Sequence, residues 1–120
     1  MRLFTCDQCG QVVYFENVTC LRCGADLGFA PDGLAVHGLP SDDAAAASDW
    51  RHCANRTTFQ ACNWLLRADD PHELCLACRL NRTIPDLSVP GNLALWQALE
   101  VDKRRLVYGL LRLRLPVVPK

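Results

Sequence analysis

A small, metal-stabilised α+β fold is what this sequence predicts, and three observations carry that expectation. Eight cysteines stand at positions 6, 9, 20, 23, 53, 62, 75 and 78 of a 120-residue chain, with none in the last third. Short β-branched and aromatic runs, Val12-Val13-Tyr14-Phe15 and Thr57-Thr58-Phe59, lie between cysteines and favour short strands. A leucine-rich stretch from Asn92 to Leu115 repeats with helical period. Together they describe two zinc-ribbon or rubredoxin-like knuckle units with short β-hairpins, followed by a long C-terminal helix.

Residues 1–30 form the first zinc ribbon. Cys6-Asp7-Gln8-Cys9-Gly10 and Cys20-Leu21-Arg22-Cys23-Gly24 are two knuckles, each ending in a glycine that lets the backbone turn close to a metal. Two Cys-x-x-Cys pairs ten residues apart place four thiolates around one ion and leave no coordination position open. Tetrahedral Zn²⁺ fits that ligand set, and iron in a rubredoxin-like site uses the same ligands.

Residues 31–49 read as a connector. Pro31-Asp32-Gly33 is a turn signal, and the stretch from Pro40 to Asp49 is low in complexity, either a loop or a short exposed helix. Residues 50–90 form the second unit, with Cys53, Cys62, Cys75 and Cys78 as its ligands. Only the last pair has knuckle spacing, so His52 or His72 is an alternative ligand. Four cysteines remain once the first site is filled, however, and a closed site needs four. Asp70-Pro71-His72-Glu73 reads as a helix start, with Asp70 as N-cap and Glu73 in the capping-box position. Asn55-Arg56-Thr57 recurs as Asn81-Arg82-Thr83, and these side chains are expected to make local turn bonds beside the metal loops.

Residues 91–115 form the amphipathic helix, with Asn92 as its N-cap and Pro116 as its stop. Leu95, Leu99, Leu106, Leu110 and Leu113 share one face and are expected to pack on the zinc units. Leu93, Val107 and Leu111 lie on a second stripe, expected to be left over for self-association or for a partner. Residues 116–120 are an apolar tail.

Compartment and charge narrow the functional classes. Met1 to Thr5 leave no room for an apolar signal core before Cys6, and no uncharged run spans a bilayer. The expectation is a cytoplasmic chain with no membrane partner, where paired cysteines are metal ligands rather than disulfides. The formal net charge is zero, and loading eight thiolates with two Zn²⁺ turns that into about −4. Residues 1–50 carry two basic and seven acidic side chains. That acidic front half argues against nucleic acid as a partner, although Arg79, Arg82 and Lys103-Arg104-Arg105 keep a nucleic-acid-binding ribbon as the alternative. A catalytic centre is not expected. His72-Glu73-Leu74-Cys75-Leu76 begins like His-Glu-x-x-His, but Leu76 stands where the second histidine belongs. His37 and His52 lack spaced partners.

These stretches resemble a bacterial family of zinc-binding metallopeptidases that begin with a zinc-ribbon region. The likeness runs through Phe4-Thr5-Cys6-Asp7-Gln8-Cys9-Gly10, Cys53-Ala54-Asn55-Arg56, Cys62-Asn63-Trp64-Leu65 and Cys75 to Leu87, then through Trp96 and Lys103-Arg104-Arg105-Leu106. That family carries its His-Glu-x-x-His helix downstream of the ribbon, and no such motif occurs in these 120 residues. The resemblance therefore implies the non-catalytic front part of a metallopeptidase. Its helix would meet a downstream peptidase domain or another protein, and residues 116–120 would lead toward that absent domain.

Overall fold

The structure, a computed structural model, describes residues 3–39 and 49–119. Among the described residues there are three two-stranded antiparallel sheets. In the first, β1 (Phe4–Thr5) pairs with β2 (Val12–Val13). In the second, β3 (Asp26–Ala30) pairs with β4 (Ala35–Leu39), with Asp26 opposite Leu39 and Ala30 opposite Ala35. In the third, β5 (Trp50–His52) pairs with β6 (Leu65–Arg67). Between β5 and β6 lies a short helix, α1 (Ala54–Phe59), and the chain ends in the long helix α2 (Asn92–Arg112). Among the described residues no helix is long and apolar enough to cross a membrane.

Four local expectations are corrected. Ala35–Leu39, placed in the connector, is a strand: Pro31 to Leu34 turn the chain back so that it pairs along all of β3. The alanine-rich stretch after it lies outside the described residues. Thr57-Thr58-Phe59 is helical rather than extended, because α1 is closed by Gln60 in the left-handed region (φ 53°), whose N–H bonds to Arg56 O. Thr57 Oγ1 turns its polarity inward onto Ala54 O at 3.0 Å. Asp70 starts no helix; its carboxylate accepts from the His72 N–H at 2.8 Å and closes a local turn, and the following helical piece is one 3₁₀ turn, Cys78–Leu80. Asn92 is not the N-cap of α2. Gly91 holds that place at φ 88°, and the Asn92 amide donates to Asp86 O at 2.9 Å.

The centre of the molecule is aromatic. Phe4, Phe15, Phe29, Trp64 and Tyr108 come from five separate stretches of chain and meet mostly edge to face or tilted. Phe15 and Phe29 centroids are 4.8 Å apart, as Phe29 and Trp64 are 4.9 Å apart. Such pairs add about 0.5–1.5 kcal/mol each beyond the area they bury. One buried cluster thus includes Cys6 and Cys20 of the first cysteine set, all four cysteines of the second, Phe4 and Phe15 from the first unit, Trp64 from the second and Val107 and Tyr108 from α2.

Sheet contact at the centre is close. Phe29 N–H donates to Asn63 O at 2.9 Å, and β3 crosses Leu65 at Gly28. A Cβ at Gly28 would stand 2.4 Å from Leu65 Cδ2, so any larger residue there forces the Leu65 side chain to shift.

The face by which α2 packs is largely the reverse of the expected one, although Leu93 is exposed as expected and Leu110 is half-buried. Trp96, Glu100, Arg104, Val107 and Tyr108 are buried, with Leu111 half-buried behind them. Leu95, Leu99, Leu106 and Leu113 are 62–71% exposed. The buried stripe carries two charged side chains, and both have partners within the chain. Glu100 Oε1 accepts from Trp96 Nε1 at 2.8 Å and Asn81 Nδ2 at 2.9 Å, while Lys103 Nζ pairs with Oε2 at 2.6 Å. Arg104 donates to Ala61 O at 2.6 Å. A polar network tied to the second unit, rather than leucine burial, orients the helix.

Candidate metal centres

Each knuckle of the first cluster repeats one backbone device. Cys6 N–H bonds to Gln11 O at 2.8 Å and Gly10 N–H to Cys6 O at 2.7 Å. Cys20 N–H bonds to Ala25 O and Gly24 N–H to Cys20 O, both at 2.9 Å. Gly10 and Gly24 sit at φ 79° and 76°, the left-handed turn that directs N–H groups and sulfurs inward. The β1–β2 pairing flanks the first knuckle and a Thr19–Asp26 bridge flanks the second, and the two meet with Cys6 Sγ 3.7 Å from Cys23 Sγ and Cys9 Sγ 3.6 Å from Cys20 Sγ.

The second cluster solves a harder spacing problem. Cys53 and Cys62 are separated by α1, whose single excursion returns the chain beside its start: Ala61 N–H bonds to Asn55 O, and Cys53 N–H to Trp64 O. Cys75 and Cys78 close the other side, with Cys62 and Cys75 sulfurs 3.5 Å apart. Three backbone N–H groups point at sulfurs here: Trp64 at Cys62 and Cys75 at Cys53, both at 3.4 Å, and Cys78 at Cys75 at 3.5 Å.

In both clusters the four sulfurs lie within 4.8 Å of one another. A tetrahedron of sulfurs about 2.3 Å from zinc has edges of about 3.8 Å, so the donor sets fit a tetrahedral four-thiolate ion. Among the described residues no other group of three or more His, Cys, Asp or Glu side chains gathers in this way.

Electrostatics inside the clusters favour a cation. A backbone N–H of Cys23 holds the Cys20 thiol down at about 6. Hydrogen bonds from Cys62, Cys75 and Cys78 hold Cys53 far below the usual thiol range. The Cys53 sulfur in turn pushes Cys62 and Cys75 well above it. Cys78 is held down as well, so within the cluster some sulfurs take negative charge and the others then resist ionising; a bound divalent cation removes that conflict by deprotonating all four.

The histidines stand apart from both sets. His37 Nδ1 lies 3.2 Å from Asp7 Oδ2 and its ring stacks on Trp50. His72 Nδ1 bonds to Asp70 Oδ1 at 2.8 Å. Burial, helped by the Arg56 charge, pushes the His52 imidazole down to about 4. The twin Asn-Arg-Thr triplets do more than close turns. Arg56 reaches from α1 to the first unit, donating to Leu27 O at 2.5 Å and Val18 O at 2.8 Å, and Asn81 reaches Glu100 on α2. The recurrence was visible in the sequence, but its long-range partners were not.

Against known proteins, the profile of the zinc-ribbon domain family matches residues 3–89. The chain belongs to that family. Both four-cysteine clusters fall inside the matched zinc ribbon, as do all three hairpins; α2 lies beyond it. The chain is also similar to uncharacterized proteins of Mycobacterium bovis and of two Mycobacterium tuberculosis strains, at 41% identity over 118 residues. That alignment covers 98% of this zinc-ribbon chain and 33% of each relative, so the chain spans about a third of the length of the curated relatives it matches. No solved structure matches it.

Proposed function

We propose that this chain is a non-catalytic, structural zinc-binding module holding two Zn²⁺ ions, and that it works as the front part of a longer, cytoplasmic metallopeptidase. Iron is the alternative ion at the first cluster. Each ligand set is complete with four thiolates, which leaves no position for the water a hydrolytic zinc must hold. Catalysis would then belong to the remainder of the longer protein, in line with relatives about three times the length of this chain.

The observation that carries the interaction role is the exposed face of α2. Leu95, Leu99, Leu106 and Leu113 recur along one side of the helix and are left largely exposed by the described residues. A face of this kind is a liability in water unless something covers it, and the remaining two-thirds of the longer protein is the occupant we assign. The basic cluster gives little support to the nucleic-acid alternative. Arg104 is buried on Ala61 O, Lys103 pairs with Glu100, and Arg105 pairs with Glu16 and Asp102, so few of these cations are spare for phosphates.

The test is made in one of the long mycobacterial relatives. A photo-crosslinking amino acid at the positions matching Leu99 and Leu106 should form cross-links into the part of the chain that this sequence does not cover. Absence of such cross-links, with a folded and metal-loaded protein, would overturn the interaction reading.

A further inference from the structure

The two clusters differ in how they face solvent. All four cysteines of the second cluster are buried, and the residues flanking them, Asn63, Trp64 and Ala77, are buried too. In the first cluster Cys6 and Cys20 are buried, Cys9 is half-buried and Cys23 is exposed. The residues between its ligands, Asp7, Gln8, Leu21 and Arg22, are all exposed, and Leu21 is 94% so.

Exposure decides how a thiolate-bound cation is exchanged. An incoming donor has to reach the ion from the side as a resident sulfur leaves, and the leaving thiolate has to be met by solvent. At the second cluster all four cysteines are buried, and three N–H groups point at their sulfurs. At the first, Cys23 offers an open edge. We propose that the first cluster is the exchangeable metal position of this chain, surrendering its ion to thiolate or aminocarboxylate acceptors through Cys23, while the second is permanent. The step is ligand substitution without redox change: the acceptor's donor atom binds the cation, and the Cys23 thiolate leaves and takes a proton from water.

The consequence reaches α2. The hairpin that the first cluster closes carries Phe4 and Phe15 into the aromatic centre, 6.4 and 4.9 Å from Tyr108 on the helix. Loss of that ion would loosen one wall of the helix seat, which couples metal occupancy to the leucine face on the opposite side.

The proposal rests on both clusters holding metal, but not on what covers α2, so metal content is counted first. The full zinc-loaded chain is then mixed with excess chromogenic chelator and sampled with pulses of iodoacetamide. Zinc should leave in two phases of one equivalent each, the first at least about ten times faster than the second. Cys6, Cys9, Cys20 and Cys23 should be alkylated in the first phase while Cys53, Cys62, Cys75 and Cys78 stay protected. Release in a single phase, labelling of the second set first, or a first cluster that resists the chelator as firmly as the second would each overturn the proposal. Failure of both sites to hold zinc at the outset would instead overturn the metal reading on which it stands.

Discussion

Trp96 and Glu100 lie one turn apart on α2, both about 3% exposed, and the indole N–H donates to the Glu100 carboxylate at 2.8 Å. Asn81, three residues past the last cysteine, donates to the same oxygen. The carboxylate therefore fastens the helix to the second metal loop. Replacing it by alanine would leave the buried Trp96 N–H and the half-buried Asn81 amide without their acceptor and Lys103 with Asn81 Oδ1 alone, a cost of about 1–3 kcal/mol for the unsatisfied buried donor. Glu100→Gln keeps an acceptor for Trp96 and should lose clearly less. Thermal unfolding of zinc-loaded Glu100→Ala and Glu100→Gln measures the difference; equal and small shifts would show that the network does not hold the helix.

The two stripes of α2 should respond oppositely to charge. Val107 is buried and Leu111 half-buried in the central cluster, so Val107→Lys with Leu111→Lys should unfold the protein by burying unpaired ammonium groups. Leu99→Lys with Leu106→Lys changes only exposed positions and should leave metal content and unfolding temperature nearly unchanged, within about 0.5 kcal/mol per site. Circular dichroism and elemental analysis on the two double variants check this.

Gly28 should not accept a side chain. Its crossing with Leu65 leaves 2.4 Å for a Cβ, so Gly28→Ala should cost about 1–3 kcal/mol, as overpacked cores do. Leu65→Ala alone should also destabilise, by cavity formation. Combined, the two changes should cost less than their sum, because each makes room for the other. Additive losses in chemical denaturation would show that the strand crossing is relieved elsewhere.

Much of the metal architecture could be read from the chain because thiolate spacing is a local property. Cys6 to Cys23 needs only two turns and a hairpin, and glycines follow both knuckles. The wider gap from Cys53 to Cys62 hid a helix, since β-branched Thr57 and Thr58 favour strands until the ends of the segment are tied to Cys53 and Ala61. The strand β4 was hidden because Ala35–Leu39 has no strong strand signal of its own and forms by pairing with β3. The orientation of α2 was hidden for a different reason. Leucine periodicity marks where apolar side chains lie, whereas the seat of this helix is set by Trp96, Glu100 and Arg104, whose partners come from residues 61 and 81.

The shared core also changes what is expected of single-site loss. The ligand sets do not interleave in sequence, which suggests independent units, yet Phe4 and Phe15 pack in the same cluster as Trp64 and the second cysteine set. Cys20→Ser should lose the first ion and also weaken the second, by about tenfold in affinity, or about 1.4 kcal/mol. Chelator competition on the variant, followed to the second equivalent, reports the coupling; an unchanged second affinity would show that the units are independent after all.

The central claim is that each four-thiolate cluster holds one zinc ion. It is tested most directly by elemental analysis of protein purified without chelators, paired with alkylation of the native chain. The account predicts two equivalents of zinc per chain and eight cysteines that become reactive only after the metal is withdrawn. One equivalent or none, or free reactive thiols in the second cluster of the freshly purified protein, would contradict it.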